Sequence, residues 1–230
     1  MRLMAALAVA GVCILAAGCS GGTDDASKTS TTTSTTTTKP PPPVQEAALN
    51  DLLLPPEQIN AAMGATDMVV TKTQDAMSDD SATMEPKECL AVDGALQAVV
   101  YGGSDFSTVR GQTLTDGDNF AHYALQAVVL FPGAKLANAF FTASTQQWPA
   151  CHQYTHLQTG THWTVGPVNN ASGMLSSSAT QQDAKAPGWG CGRALAIRNN
   201  VVIDINTCSA NPGDSAVNMA NQIAAKVPIR

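Results

Sequence analysis

The chain has 230 residues, 18 of them acidic and 12 basic, for a formal net charge of −6, and only 13% of its residues are charged. That balance speaks against a nucleic-acid partner and against docking on anionic lipid through a basic face. After the low-complexity N-terminal stretch, enough chain remains for one domain with a sizeable core.

Residues 1–18 read as a signal peptide. Arg2 is followed by an apolar run from Leu3 to Leu15 and then by Ala16, Ala17 and Gly18. The run falls short of the roughly 20 apolar residues that span a bilayer, and it has the flanks of a cleaved segment. Cys19 then stands where a bacterial lipobox places the cysteine that receives a diacylglyceryl group. The pattern departs from the usual one in carrying Ala16 rather than Leu three places earlier. Ordinary secretion with cleavage elsewhere is the alternative. A diacyl anchor carries the two chains that stable attachment needs, so the expected location is the extracytoplasmic face of the cell membrane.

Residues 19–47 read as a tether. Thr29 to Thr38 are all Thr or Ser, and Pro40 to Pro43 is a proline run. Nothing there can offset the entropy of ordering. Such a tract serves as a glycosylated stalk or as a plain spacer. It reaches about 90 Å at most and more typically spans about 30 Å.

The domain follows at residues 48–230. Ala48–Leu54 and Glu57–Met63 read as short helices, with Pro55-Pro56 opening the second. Asp67–Thr73 reads as a strand and 74–87 as loop. Ala98–Tyr101, Ser107–Leu114 and Phe120–Phe131 read as strands, and Pro132 ends the last. Ala134–Trp148 is a helix whose Leu136, Phe140, Phe141, Ser144 and Trp148 share a core-facing stripe. Thr161–Val168 and Met174–Gln181 are further strands. Asp214–Val227 is a helix, with Asp214 or Ser215 as its N-cap and Ala216, Ala220, Ile223 and Val227 as its buried face. Helices at both ends and in the middle, with hairpin-linked strands between, give an α+β fold on an antiparallel sheet.

Four cysteines remain in the domain: Cys89, Cys151, Cys191 and Cys208. In an oxidising compartment they pair as disulfides. The register of one hairpin chooses among three pairings. Ala194–Ile197 and Val201–Ile205 alternate as strands about Asn199-Asn200, a pair suited to a type I′ turn. A two-residue turn sets Arg198 opposite Val201 and brings Cys191 opposite Cys208, seven pairs further up. Counting makes that a non-hydrogen-bonded pair with Cα atoms about 4.5 Å apart, at the short end of disulfide geometry. The expected bridges are therefore Cys191–Cys208 and Cys89–Cys151, and a β-bulge near Gly190 or Gly192 would break the count. With no close CxxC pair, metal binding by these four is not expected.

Several segments together resemble the PknH-like extracellular sensor domain family, known from a mycobacterial serine/threonine kinase and found alone in mycobacterial lipoproteins. They are Gln126–Pro132, Trp148-x-x-Cys151, Gly190-Cys191-x-Arg193-Ala194-Leu195, Asn199-Asn200-Val201-Val202-Ile203-Asp204, Cys208 and the last helix. The resemblance runs over about residues 48–228. It implies an antiparallel sheet flanked by helices, two disulfides in the pairing above, and a large cleft for an unidentified ligand. Kinase catalytic motifs are absent from this chain.

Chemistry is sparse. No nucleophile elbow, HExxH, P-loop or dinucleotide fingerprint occurs, so neither enzymatic activity nor a cofactor or metal is expected. His152 and His156 read as a surface pair, His162 beside Trp163 could join them only through tertiary contact, and His122 reads as packed or exposed. The better lead lies on the hairpin, where Arg193 faces Asn206 and is diagonal to Asp204. This trio either lines a polar cleft as a candidate ligand site or forms a structural ion pair. The leading expectation is a binding or sensing module for a small-molecule, lipid or glycan ligand. A module docking on a membrane protein is the second reading and an envelope-polymer hydrolase the third.

Overall fold

Two runs of alternating apolar residues build the centre of the sheet. Trp189–Arg198 (β9) and Val201–Ala210 (β10) pair antiparallel from Arg198↔Val201 to Trp189↔Ala210. The computed structural model describes residues 42–228, so the signal peptide, Cys19 and most of the tether, with the expectations attached to them, lie outside the described residues. Around the hairpin run Val69–Gln74 (β1), Met84–Glu85 (β2), Thr108–Thr115 (β3), His122–Leu130 (β4), Gln153–His156 (β5), Thr161–Val165 (β6), Asn169–Ala171 (β7) and Met174–Gln181 (β8). The strands form one antiparallel sheet in the order β1-β3-β4-β10-β9-β8-β6-β5-β2, with β7 on β8.

Side chains alternate across the sheet, so its two faces carry different cores. Ala194, Ala196, Ile203 and Ile205 point to one face, beneath Leu49–Leu52 (α1), Pro56–Met63 (α2) and Ser215–Lys226 (α6). Ala216, Met219, Ala220 and Ile223 of α6 are all buried there, each large apolar side chain contributing about 1.5–3 kcal/mol. Gln126 is fully buried on this face because Leu54 satisfies both ends of its amide, at 2.8 Å each. Leu195, Val202, Val129 and Leu125 point to the other face. There they meet Leu90–Asp93 (α3), Ala98–Tyr101 (α4) and Ala134–Gln147 (α5).

The α+β class, the antiparallel sheet and both disulfides are as the sequence predicts. Cys191–Cys208 bridges facing residues with Cα atoms 4.1 Å apart, and Cys89–Cys151 closes the second pair at 5.1 Å. Some local expectations need correction. Ala98–Tyr101 is a helical turn, not a strand: Tyr101 must stack on Phe140 at 4.2 Å and deliver its hydroxyl to Asp204, and this tertiary demand overrides the β-preference of Val99-Val100. Part of the expected loop 74–87 is strand, since Met84–Glu85 pairs with β5. Of the turn asparagines only Asn199 takes a positive φ, 52°, so the turn is not type I′. Asp214 caps α6 by position only; its side chain makes no capping bond, and Ser215 turns inward to Thr207 at 2.7 Å.

Candidate functional site

Helices leave part of the second face open, and a cleft of about 530 Å³ lies there. Strand register sets its floor. Thr113, Leu125 and Asn206 face one another across β3, β4 and β10, with Tyr123, Cys208 and Cys191 in the next row. A bulge in β1 brings Lys72 into the first row. Val70 pairs with Leu114 and Lys72 with Thr113, leaving Thr71 as the extra residue. Bulges commonly re-aim side chains in this way.

The segment from Ser78 to Gln97 forms a wall, held by the hairpin trio. Arg193 is 4% exposed and Asp204 1%, and their charges meet at 2.7 Å. Arg193 also donates to the carbonyls of Ala91 (2.9 Å) and Gly94 (3.2 Å), and its guanidinium lies 5.1 Å from the Trp148 ring centroid. Asp204 accepts the Leu96 amide and the Tyr101 hydroxyl, both at 2.9 Å. Burial, with Asp204 beside it, pushes the Tyr101 phenol far above its ordinary range. Asn206 donates to the Asp93 carbonyl at 2.9 Å. Gly111 in β3 permits the approach, because a Cβ there would stand 2.9 Å from Leu96 Cδ1. Three buried side chains thus clamp residues 91–96, and the clamp presents Asp93, Ala95 and Gln97 to the cleft.

The trio is therefore divided. Asn206 lines the cleft, whereas Arg193 and Asp204 lie beneath it and do not line it. Of the two readings of the trio, the ion pair describes Arg193 and Asp204, and the cleft lining describes Asn206. Pair geometry was legible in the strand register; the partner carbonyls were not, because they come from about 100 positions away in the chain.

Sequence reasoning missed most of the lining. Phe120, Tyr123, Trp163 and Trp189 contribute rings, while Asp80, Asp93, Gln97 and His156 contribute polar groups. His156 belongs to no surface pair with His152: its Nε2 meets Asp93 at 2.9 Å inside the cleft, while His152 is exposed. The hydrogen bond to Asp93 raises the His156 pKa against the opposing pull of burial. Tyr154 stacks on Trp163 at 5.9 Å, and burial beside Asp93 pushes its phenol far up. His162 bonds Thr155 at 2.9 Å, and His122 bonds Asp116 at 2.7 Å, which helps hold the Asp116 carboxyl below its ordinary value against the opposing effect of burial. Among the described residues, no group of three or more His, Cys, Asp or Glu is placed to hold a metal ion.

The cleft offers free acceptors and free donors: Gln74 Nε2 is buried without a partner among the described residues, and Lys72 brings an ammonium. Asp80 commits Oδ2 to Gln97 at 2.7 Å, leaving its other oxygen without a partner among the described residues, and Asp93 commits Oδ1 to His156 at 2.9 Å. Asn206 Oδ1 meets only Cys208 Sγ at 3.6 Å, and a disulfide sulfur has no proton to donate.

Comparison with known proteins agrees with this architecture. A family model described as PknH-like extracellular domain matches residues 44–226. The chain is 35% identical over 184 residues to the serine/threonine-protein kinase PknH of Mycobacterium bovis, covering 78% of this chain and 30% of that protein. Identity to PknH of Mycobacterium tuberculosis H37Rv is also 35%, over 78% of this chain and 28% of the relative. The chain thus spans less than a third of the length of the curated relatives it matches. The crystal structure of the extracellular domain of PknH from Mycobacterium tuberculosis superposes with a TM-score of 0.76 at 32% identity, covering 80% of this chain and 97% of that one.

Proposed function

From the premise that the chain belongs to the family of PknH-like extracellular domains, we propose that it is a binding or sensing module of the cell envelope. In this reading Cys19 carries a lipid anchor on the extracytoplasmic face of the membrane, and the Thr- and Pro-rich tract ahead of Val44, which is itself packed into the domain, holds the domain off that surface. The cleft takes a small-molecule, lipid or glycan ligand. The observation that carries the proposal is the cleft itself: about 530 Å³, bounded by four aromatic rings and by polar groups that the fold leaves partly unused. Its volume and mixed lining fit the usual character of ligand sites. No catalytic step is proposed, since the relatives' kinase activity is said of chains more than twice as long.

Thermal-shift titration of the purified chain against envelope lipids, glycans and small solutes tests the reading. A native-state ligand raises the melting temperature with concentration by mass action, about 2.7 kcal/mol at a hundredfold excess over Kd. The rise should vanish in Trp189→Ala. A flat response in all three classes would favour a second reading, docking on a membrane protein. That reading has its own support in β1, an edge strand paired on one side only among the described residues, with Val69 and Val70 exposed.

A further inference from the structure

Asn206 lies within the floor of the cleft at 5% exposure. Its amide nitrogen is committed to the Asp93 carbonyl, and its oxygen has no donor. Buried acceptors are seldom left so. A group that completes this one must bring an N–H or O–H into the cleft.

The charges around it are unbalanced. Asp80 and Asp93 line the cleft; Asp93 is already met by His156 at 2.9 Å, whereas Asp80 keeps one carboxylate oxygen without a partner among the described residues. Arg193 cannot answer them, because it is buried below and spent on Asp204. Lys72 is the one lysine or arginine among the lining residues, and it stands exposed on the edge strand. Burial is the main cause that raises the Tyr123 phenol to about 12; the charges of Asp80 and Asp93 add to it, and a hydrogen bond to Thr113 and the Arg193 charge oppose it.

The ring side completes the pattern. Phe120 is 40% exposed, with its ring 5.9 Å from Tyr123 and 6.3 Å from Trp189. Grouped ring faces beside carboxylates attract a cation through the aromatic quadrupole, most strongly where water is displaced. An anion would find two carboxylates opposing it. A neutral sugar would satisfy Asn206 and leave the Asp80 charge unanswered, Asp93 being already met by His156.

We propose that the cleft takes an organic ammonium cation, its charged head against Phe120, Tyr123 and Trp189, its counter-charges Asp80 and Asp93, and a donor of the ligand on Asn206 Oδ1. The inference rests on the binding-module reading and narrows it to one ligand chemistry.

Choline and its uncharged isostere 3,3-dimethyl-1-butanol separate charge from shape, with the neutral disaccharide trehalose as a third arm. Each is titrated against the full chain at neutral pH while tryptophan fluorescence is followed. Choline should saturate with a Kd at least about tenfold below that of the isostere, a ratio equal to about 1.4 kcal/mol. Asp80→Asn should weaken choline several-fold and leave the isostere unchanged, with an unaltered melting temperature confirming the fold. Equal binding of choline and isostere overturns the cation and leaves the cleft reading standing. Saturation by trehalose alone does the same. If none of the three saturates, the cation inference is overturned, and the broader thermal-shift screen decides the cleft reading separately.

Discussion

Arg193 and Asp204 illustrate what burial does to a charge. Each would be expensive to desolvate alone, and each is tolerable because the other, together with three carbonyls, an amide and a phenol, meets it. Asp204→Ala should therefore lower the unfolding free energy by about 3–5 kcal/mol in urea, because Arg193 is left buried and unpaired. The double variant Arg193→Met, Asp204→Leu should lose less than the two single changes together. His156 makes a pH-dependent contribution. Its folded pKa is raised above 6.5, so the stability it adds is complete below that value and is lost as pH rises through the folded pKa. Between about pH 6 and pH 8 the melting temperature should fall, and His156→Gln should flatten that slope; an unchanged slope would exclude the pair with Asp93 as its source. The facing of Arg193 and Asn206 could be read from the sequence because it follows from strand register. Asp93 and His156 could not, since only folding brings residues 63 positions apart together.

The β9–β10 hairpin is the element on which sequence patterning and structure agree most closely, over ten paired positions. A two-residue turn fixes register, and register then fixes the disulfide and the two faces. Its asparagines do more than turn the chain. Asn200 is 2% exposed, donates to the carbonyls of Val44 (3.1 Å) and Phe131 (2.8 Å), and accepts the Val44 amide at 2.8 Å. Asn199 donates to the Pro42 carbonyl at 2.9 Å. The turn therefore clasps the segment that leads into the domain. Asn200→Ala should cost about 1–3 kcal/mol and speed protease cleavage near residues 42–44; cleavage at the wild-type rate would show that the clasp is not what holds this segment. The four-residue helix α4 was illegible for the opposite reason, as Tyr101 answers to Asp204 and Phe140 and not to its neighbours in sequence.

At the scale of the molecule, the clasp and the cleft occupy opposite ends of one hairpin. Pro42–Val44 meet the turn, and Cys191–Cys208 lines the cleft seven pairs away, about 24 Å along the strands. Pro42–Val44 therefore lie away from the cleft. If Cys19 is the anchor, Cys19→Ala should move the protein from the membrane fraction to the medium, while the released domain keeps both disulfides and its melting temperature. Continued membrane retention would assign the attachment to another part of the chain. Among the described residues no helix is long and apolar enough to cross a membrane.

The sequence by itself determined the α+β class, the hairpin register, both disulfides and the amphipathic faces of α5 and α6. These follow from periodicity and from residues close together in the chain, where local geometry leaves few choices. Tertiary structure alone decided the cleft. Its lining comes from β1, the 78–97 segment, β3, β4 and their connection, β5, β6 and the hairpin, and no local signal marks a residue whose neighbours are assembled by sheet order. It also decided that Arg193 and Asp204 build the wall while Asn206 faces the space. One strand face carries all three, and only the helices and loops laid over that face determine which side chains stay open.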